Sequence, residues 1–479
     1  SHNDDSEWSE TADLYTDAIE RYQAVNDHDR VVTLQMALAD EAVESARWQH
    51  AQQLYQQAIE TAATISSEDV ARVYESRART ALDTQTVPWT TKVAAVDEAI
   101  EQLEGVSSRR QASLYDSLAS QAGRTPTVPW KEVKKLHERA AQMHSGVDRA
   151  AEARVRKRLA FNANTDEDVQ WHTVKQLYNN AIDAHEKANE PTKAIEAQHE
   201  LANAAAESDA VGWSTTKELF NEAMEQAESG AERTHVQVAA AYARAASQAD
   251  RLDWNTIKNR YDVAIDAAKN TNTDEYLRLL ERRASAAASH GTVDWDQTES
   301  LYEDAITEAQ RLDRAEQVRF IESLATEAQQ TEQVDWSTVS GYLDRAVDAA
   351  DEYERGVDTR VERARAASRS DAVEWTTAKR LFEETIKIAK NREGEDPVQV
   401  RQRFAATAQE IDAVGWRQTK RLYKKIITNE RTSQRNIQQA TLDLAEAAAE
   451  AATVDWATTR QHYKQALEAA EEAGPFAVA

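Results

Sequence analysis

The chain has 479 residues, 84 acidic against 57 basic side chains, a formal charge of −27 and no cysteine. Without thiols there is no disulfide framework and no thiolate metal site. No run approaches the roughly 18 consecutive apolar residues that cross a bilayer, and no signal-type apolar segment stands near Ser1.

Along the chain, residues 1–7 read as an N-terminal tail, and the sequence opens on Ser rather than Met, so a processed form or a piece of a larger protein is expected. Then comes a ladder: Trp8, Trp48, Trp89, Trp130, Trp171, Trp213, Trp254, Trp295, Trp336, Trp375, Trp416 and Trp456 are all twelve tryptophans, spaced 39 to 42 residues apart. A fixed period in this range marks a repeat array. Length alone suggests about three domains of roughly 150 residues; the unbroken ladder instead predicts one continuous array over residues 8–473, with 474–479 as a C-terminal tail.

Within each unit the apolar residues fall at helical spacing. Six or seven residues after Trp stands a Leu-Tyr type pair, as in Leu54-Tyr55, Leu177-Tyr178, Leu219-Phe220 and Leu301-Tyr302. Ala follows at ten, as in Ala58, Ala181 and Ala305, then an Ile-type residue. Offsets 0, 7, 10 or 11 and 14 lie on one helix face. A second helix precedes each Trp. Eleven residues before Trp, Ala occurs throughout, from Ala37, Ala78 and Ala119 to Ala405 and Ala445; eight before, Ala recurs with Asp40 as the exception. Sixteen before stands an apolar residue such as Val73, Leu114 or Phe320. Pro88, Pro129, Gly212 and Gly415 punctuate the junctions, and Asp253, Asp294, Asp335 and Asp455 stand where they would cap the Trp helix.

The run Val293 to Ile306, Val-Asp-Trp followed by Leu301-Tyr302 and Ala305-Ile306, resembles the second helix of a tetratricopeptide repeat. Trp295, Tyr302 and Ala305 match its two aromatics and its alanine, and Leu324-Ala325 matches the Leu-small pair of its first helix. Departures are a unit of about 41 residues against the family's 34, mostly non-aromatic first helices and a lost closing proline; a HEAT-type unit fits the length better. The resemblance implies an all-α fold, a right-handed α-solenoid of about 11.5 helix-turn-helix repeats. It also implies a concave groove lined by the helices preceding Trp. Ten residues before Trp the groove positions read Leu38, Arg79, Ser120, Phe161, Asn203, Arg244, Ser285, Thr326, Arg365, Ala406 and Glu446. That variety suits one particular protein surface or peptide better than a repetitive ligand.

Arg outnumbers Lys 39 to 18, and the acidic balance resembles that of proteins from extreme halophiles, salt-loving archaea in particular. A high-salt cytosol is the expected setting, with a surface location and an ordinary acidic cytosolic protein as alternatives. The scarce lysines are not scattered. Lys134, Lys175, Lys217, Lys258, Lys379 and Lys420 all sit four residues after Trp, with Arg460 equivalent, either as a cationic row for a partner or as stems laid over the preceding Trp. Residues 416–435 hold Arg417, Lys420, Arg421, Lys424, Lys425, Arg431 and Arg435 against Glu430 alone, and residues 130–158 are also basic. Either island is expected to dock an acidic partner surface or to pair with acidic helices of the same chain.

No glycine-rich phosphate loop, nucleophile elbow or zinc helix is present. His137 and His144, seven apart, read as solvated surface histidines without a third ligand, and each Trp reads as packing rather than a stacking platform. The expected function is a non-enzymatic scaffold or adaptor without cofactor, binding another protein or peptide and possibly copies of itself. A filament or cell-surface subunit, or the sensor array of a larger signalling or defence protein, is the alternative. Nucleic acid is disfavoured, because phosphate-driven binding weakens steeply with salt.

A field of carboxylates repels itself in dilute buffer, and molar salt shortens the Debye length to about 3 Å. Circular dichroism should therefore show helicity weakened in dilute buffer and restored by molar KCl. Equal stability in both would contradict the halophile reading.

Overall fold

A computed structural model describes residues 2–473 apart from 229, 231, 332, 352–355, 393, 412, 430 and 431. Among the described residues there are twenty-three α-helices and no strand. They form two compact units, Ser1–Ala249 and Asp250–Ala479.

In the first unit the Trp helices are α1 (His2–Ala24), α3 (Trp48–Ala62), α5 (Trp89–Gln102), α7 (Trp130–His144), α9 (Trp171–Lys187) and α11 (Trp213–Glu228). They alternate with partner helices α2 (His28–Glu44), α4 (Ser67–Asp83), α6 (Ser108–Gly123), α8 (Arg149–Asn164), α10 (Pro191–Glu207) and α12 (Glu232–Gln248). In the second unit the Trp helices are α13 (Trp254–Ala268), α15 (Trp295–Leu312), α17 (Trp336–Asp351), α19 (Trp375–Asn391), α21 (Trp416–Ile427) and α23 (Trp456–Ala473). Their partners are α14 (Thr273–Ser289), α16 (Arg314–Gln330), α18 (Gly356–Arg369), α20 (Pro397–Glu410) and α22 (Gln434–Glu450). Every Trp helix after α1 begins at its Trp. Residues 2–7, expected as a tail, belong to α1; they contain neither Gly nor Pro to interrupt the helix running back from Trp8. Residues 474–479 lie outside the described residues.

Local chemistry sets the helix boundaries. Asp253, Asp294, Asp335 and Asp455 accept hydrogen bonds from the backbone N–H three residues on, at 2.7 to 3.0 Å, satisfying donors that the first turn leaves free. The Thr256 hydroxyl together with its backbone N–H holds the Asp253 carboxyl below the usual range, and the backbone bonds do the same for Asp335 and Asp455. After the Trp helices the chain reverses through left-handed residues, Asn26 (φ 58°) and Asn189 (φ 60°) or Gly105 (φ 76°) and Gly394 (φ 89°). Asn and Gly adopt that region at least cost.

The core follows the repeat pattern closely, with one shift of emphasis. Ala78, Ala119, Ala160, Ala202, Ala243, Ala284, Ala364, Ala405 and Ala445, eleven before Trp, are fully buried. So are Tyr55, Phe220, Phe382, Tyr178, Tyr302 and Tyr423, seven after Trp. The tryptophans themselves are half-buried, and Trp456 is 72% exposed. Several pack against the following repeat: Trp8 on His50 at 5.6 Å, Trp295 on Tyr342 at 6.4 Å, Trp375 on Phe404 at 5.8 Å. Burial thus belongs to the second aromatic, which shares a core cluster with the alanines of the preceding helix, as Tyr178 does with Ala160 and Ala163 and Phe220 with Ala202 and Ala205.

A further repeat position, twelve before Trp, is not apparent from hydrophobic pattern alone. It is Leu118, Leu159, Leu201, Leu324 or Leu444 in some repeats, and Arg283 or Arg363 in others. In three repeats a polar residue there bonds to the residue eight after the preceding Trp: Arg283 to Asp262 at 2.7 Å, Arg363 to Asp344 at 2.6 Å and the Tyr242 hydroxyl to Asn221 at 3.2 Å; Arg77 instead pairs with Glu98 of the following helix α5. The partner changes with the residue, so each of these polar side chains finds one partner, although the Nε atoms of Arg283 and Arg363 are buried without one. Asp40, the one break in the alanine series eight before Trp, accepts bonds from the Tyr55 hydroxyl and from Thr80.

Removing a fully buried aromatic costs about 3–5 kcal/mol, whereas a half-exposed one yields roughly half the transfer energy. Tyr302→Ala should therefore lower stability in urea unfolding clearly more than Trp295→Ala. The reverse order would show that Trp, not Tyr, carries the seam.

Candidate partner-binding site

The position three after Trp is core, with Ala51, Val133, Val174, Thr216, Ile257 and Ala378 buried there, and the position four after Trp lies at its edge, half-buried or exposed. The six lysines at this position do not behave alike. Lys420 lies over the Trp416 ring at 5.6 Å, as the packing reading expects. Lys258 pairs with Asp262 at 2.6 Å and Lys134 with Glu138 at 3.8 Å, each one turn on. Lys175 is half-buried, and Lys217 and Lys379 are exposed. Lysine in this chain also reaches a core position: Lys92, three after Trp89, is 4% exposed and donates to the Leu82 carbonyl at 3.0 Å, and burial lowers its pKa.

The two basic islands are paired to different extents. In residues 130–158, Arg156 pairs with Glu152, Lys157 with Glu200, Arg158 with Asp116, and Arg139 lies over Tyr115. Lys131, Lys135, Arg149 and Arg154 of that island are exposed and make no ion pair among the described residues. On α21, Arg417, Arg421, Lys424 and Lys425 are likewise exposed and make no ion pair among the described residues, and they crowd on one twelve-residue helix. Arg431 lies outside the described residues. Lys420 and Lys424 face His462 of α23, whose pKa is lowered by burial and by these two cations. Lys425 points the other way, toward α19 and α20.

Of the expected groove positions, Arg79 is tied to Glu75 at 2.8 Å and Arg365 to Glu362 at 3.2 Å. Leu38, expected exposed, is buried at 3% because it joins the α2–α3 core. Phe161 remains 53% exposed.

The histidines require a correction. His137 is fully buried and His144 6% exposed; neither is a solvated surface residue. His137 occupies the place seven after Trp that in most repeats holds an aromatic, and in others Val96 or Leu343, and His144 the place fourteen after. Repeat position, rather than polarity, decides their burial. His137 Nε2 lies 3.0 Å from the Asn162 amide, and its Nδ1 has no partner. Burial, reinforced by the Arg158 guanidinium, brings the His137 pKa down to about 4. Burial does the same to His199, with Arg244 and Lys157 adding to it. Among the described residues no three metal-ligating side chains converge, and no helix is long and apolar enough to cross a membrane.

No protein-family model matches the sequence, and no curated protein matches it. Solved structures similar to it include a signal-transduction ATPase with numerous domains (STAND) with a tetratricopeptide-repeat sensor from Pyrococcus horikoshii. The identity is 10%, over 82% of this chain and 52% of that one, with a TM-score of 0.29; the chain thus spans about half the length of that protein. The apo form of the quorum sensor NprR from B. thuringiensis is 13% identical over 75% of this chain and 99% of that one, at a TM-score of 0.32. NprR in complex with its cognate peptide NprX is 14% identical over 76% and 99%, at 0.28. The chain's own alternation of Trp helices and partner helices makes it an all-α helical repeat protein.

A histidine whose folded pKa is depressed favours the neutral native form. The unfolded state binds more protons between about 6.5 and 4, so stability is full above 6.5 and falls as pH drops through that window. For His137 the loss is about 3 kcal/mol at the lower end. His137→Phe, which restores the aromatic of the other repeats, should make Tm fall less between pH 7 and 4.5, by about 5 °C. An unchanged pH dependence would exclude His137 as a contributor.

Proposed function

We propose that this chain is a non-enzymatic scaffold that binds another protein through the surface of its helical array. One observation carries the reading: in a chain of charge −27, where most arginines at helix contacts are ion-paired, α21 presents Arg417, Arg421, Lys424 and Lys425 without internal partners. A cationic helix left free on an acidic molecule is suited to an acidic partner surface, and its field steers association. Of the Lys row four after Trp, Lys379 is the exposed, locally unpaired member in the same unit as α21, whereas Lys258 and Lys420 of that unit are engaged locally. The Trp spacing is unbroken across residue 249, which supports reading both units as one array. A high-salt cytosol suits the composition, and in it such contacts rest on close, partly dehydrated ion pairs rather than on long-range attraction.

Lysine-directed cross-linking in native lysate at molar salt, followed by mass spectrometry, tests the proposal. It should yield one identifiable partner with cross-links on Lys379, Lys420, Lys424 or Lys425, lost in the Lys424→Glu/Lys425→Glu variant. Failure to recover a reproducible partner, or recovery unchanged in the variant, would count against it.

A further inference from the structure

Between α19, α20 and α21 lies a solvent-open pocket of 530 Å³ whose floor is apolar and whose rim is cationic. Ile386 and Leu422 are half-buried at its base beside Phe404, which is 2% exposed. Around them stand Lys387 and Lys390 from α19, Arg401 from α20 and Lys425 from α21, against the single carboxylate of Glu383. None of the four cations makes an ion pair or a hydrogen bond among the described residues. Arginines on or next to the same helices are paired instead: Arg380 binds Glu384 at 3.1 Å, Arg403 binds Asp358 at 2.7 Å and Arg392, just past α19, binds Asp351 at 2.8 Å. The four pocket cations thus share one depression without an internal partner, while Arg417, Arg421 and Lys424 lie elsewhere on α21.

Helix dipoles explain only part of this. Lys390 and Lys425 lie in the last turns of α19 and α21, where positive charge is favourable. Arg401, however, is the fifth residue of α20 (Pro397–Glu410), toward the positive end of that helix, where the dipole offers a cation nothing. Three helices thus converge their free positive charge on one apolar depression.

We propose that this pocket binds an acidic peptide segment of a partner protein: one apolar side chain seats on Ile386, Phe404 and Leu422, and flanking carboxylates meet Lys387, Lys390, Arg401 and Lys425. The proposal rests on the scaffold reading and assigns it a place and a ligand chemistry. Nucleic acid fits less well, because stacking requires an open aromatic face. Phe404 instead stacks on Phe382 at 4.6 Å and packs against Trp375 at 5.8 Å. A small amphiphilic anion would call for a site that encloses most of its surface, whereas this one opens along its cationic rim, as an extended chain requires.

Fluorescence anisotropy with a fluorescein-labelled, C-terminally amidated peptide Asp-Glu-Phe-Glu-Asp tests this on the full chain, at the lowest salt that preserves its helicity. Lys387→Glu/Lys425→Glu and Arg401→Glu should each weaken binding by about tenfold or more. Lys269→Glu, on the exposed end of α13, should leave it unchanged. Asp-Glu-Ser-Glu-Asp should bind about tenfold more weakly than the Phe peptide, and decanoate or oligothymidylate should compete poorly. If charge reversal lowers helicity, Lys387→Gln/Lys425→Gln decides, and must still weaken binding. Equal affinity for the Phe and Ser peptides, wild-type affinity in the pocket variants, or binding of decanoate or oligothymidylate in place of the peptide would overturn the proposal. A cross-linked partner retained equally by wild type and pocket variants would also remove the pocket while leaving the scaffold reading intact.

Discussion

The rest of the structure depends on how closely two helices can approach. Each repeat places alanine eleven and eight residues before Trp, leaving a shallow strip on the partner helix, and the aromatic seven residues after Trp fills the space above it. Where the strip changes, the contact is rebuilt with polar groups: Asp40 replaces alanine, and the Tyr55 hydroxyl and Thr80 are there to bond it. Close packing of this kind tolerates little change in volume, because interiors are as dense as molecular crystals. It also leaves the outer residues free to vary. The array is held by a few small side chains and one large one per repeat, and its exposed chemistry is correspondingly unconstrained.

That division explains what sequence could and could not foretell. The helices were legible because period and composition agree: apolar residues at helical spacing, few Gly or Pro inside the elements, and Asp or Pro at their starts. Trp drew attention by its rarity, yet Tyr302 and Phe382 are more deeply buried than Trp295 and Trp375. Rarity is a property of composition, whereas burial depends on which turn of the helix faces the alanine strip. His137 illustrates the same point. As an isolated histidine it reads as a surface residue, but its place in the repeat puts it where every neighbouring unit has an apolar side chain. The exchange of Leu for Arg283 or Arg363 twelve before Trp was hidden for the opposite reason: a charged residue at a core position looks like an exposed one until its carboxylate partner, twenty-one residues earlier for Arg283 and nineteen for Arg363, is found.

The candidate surface was only partly legible. Counting charge located α21, whose four exposed cations are unpaired on one helix, whereas in residues 130–158 paired cations such as Arg156 and Arg158 are interspersed with unpaired ones. What counting could not supply was convergence. Lys387, Lys390 and Arg401 come from two other helices and meet Lys425 only in space. Pairing decides the matter: Arg156 with Glu152 and Arg158 with Asp116 present neutral couples, while the cations at the pocket rim are available to a ligand.

Hydrogen exchange followed by mass spectrometry tests the central account, a repeated small-residue seam closed by one buried aromatic, most directly. Protection should rise and fall with the 41-residue period through both units. It should peak in the segments that span the alanines before Trp and the aromatic after it, and dip at each junction. Protection confined to one stretch of the chain, or highest at the tryptophans themselves, would contradict it.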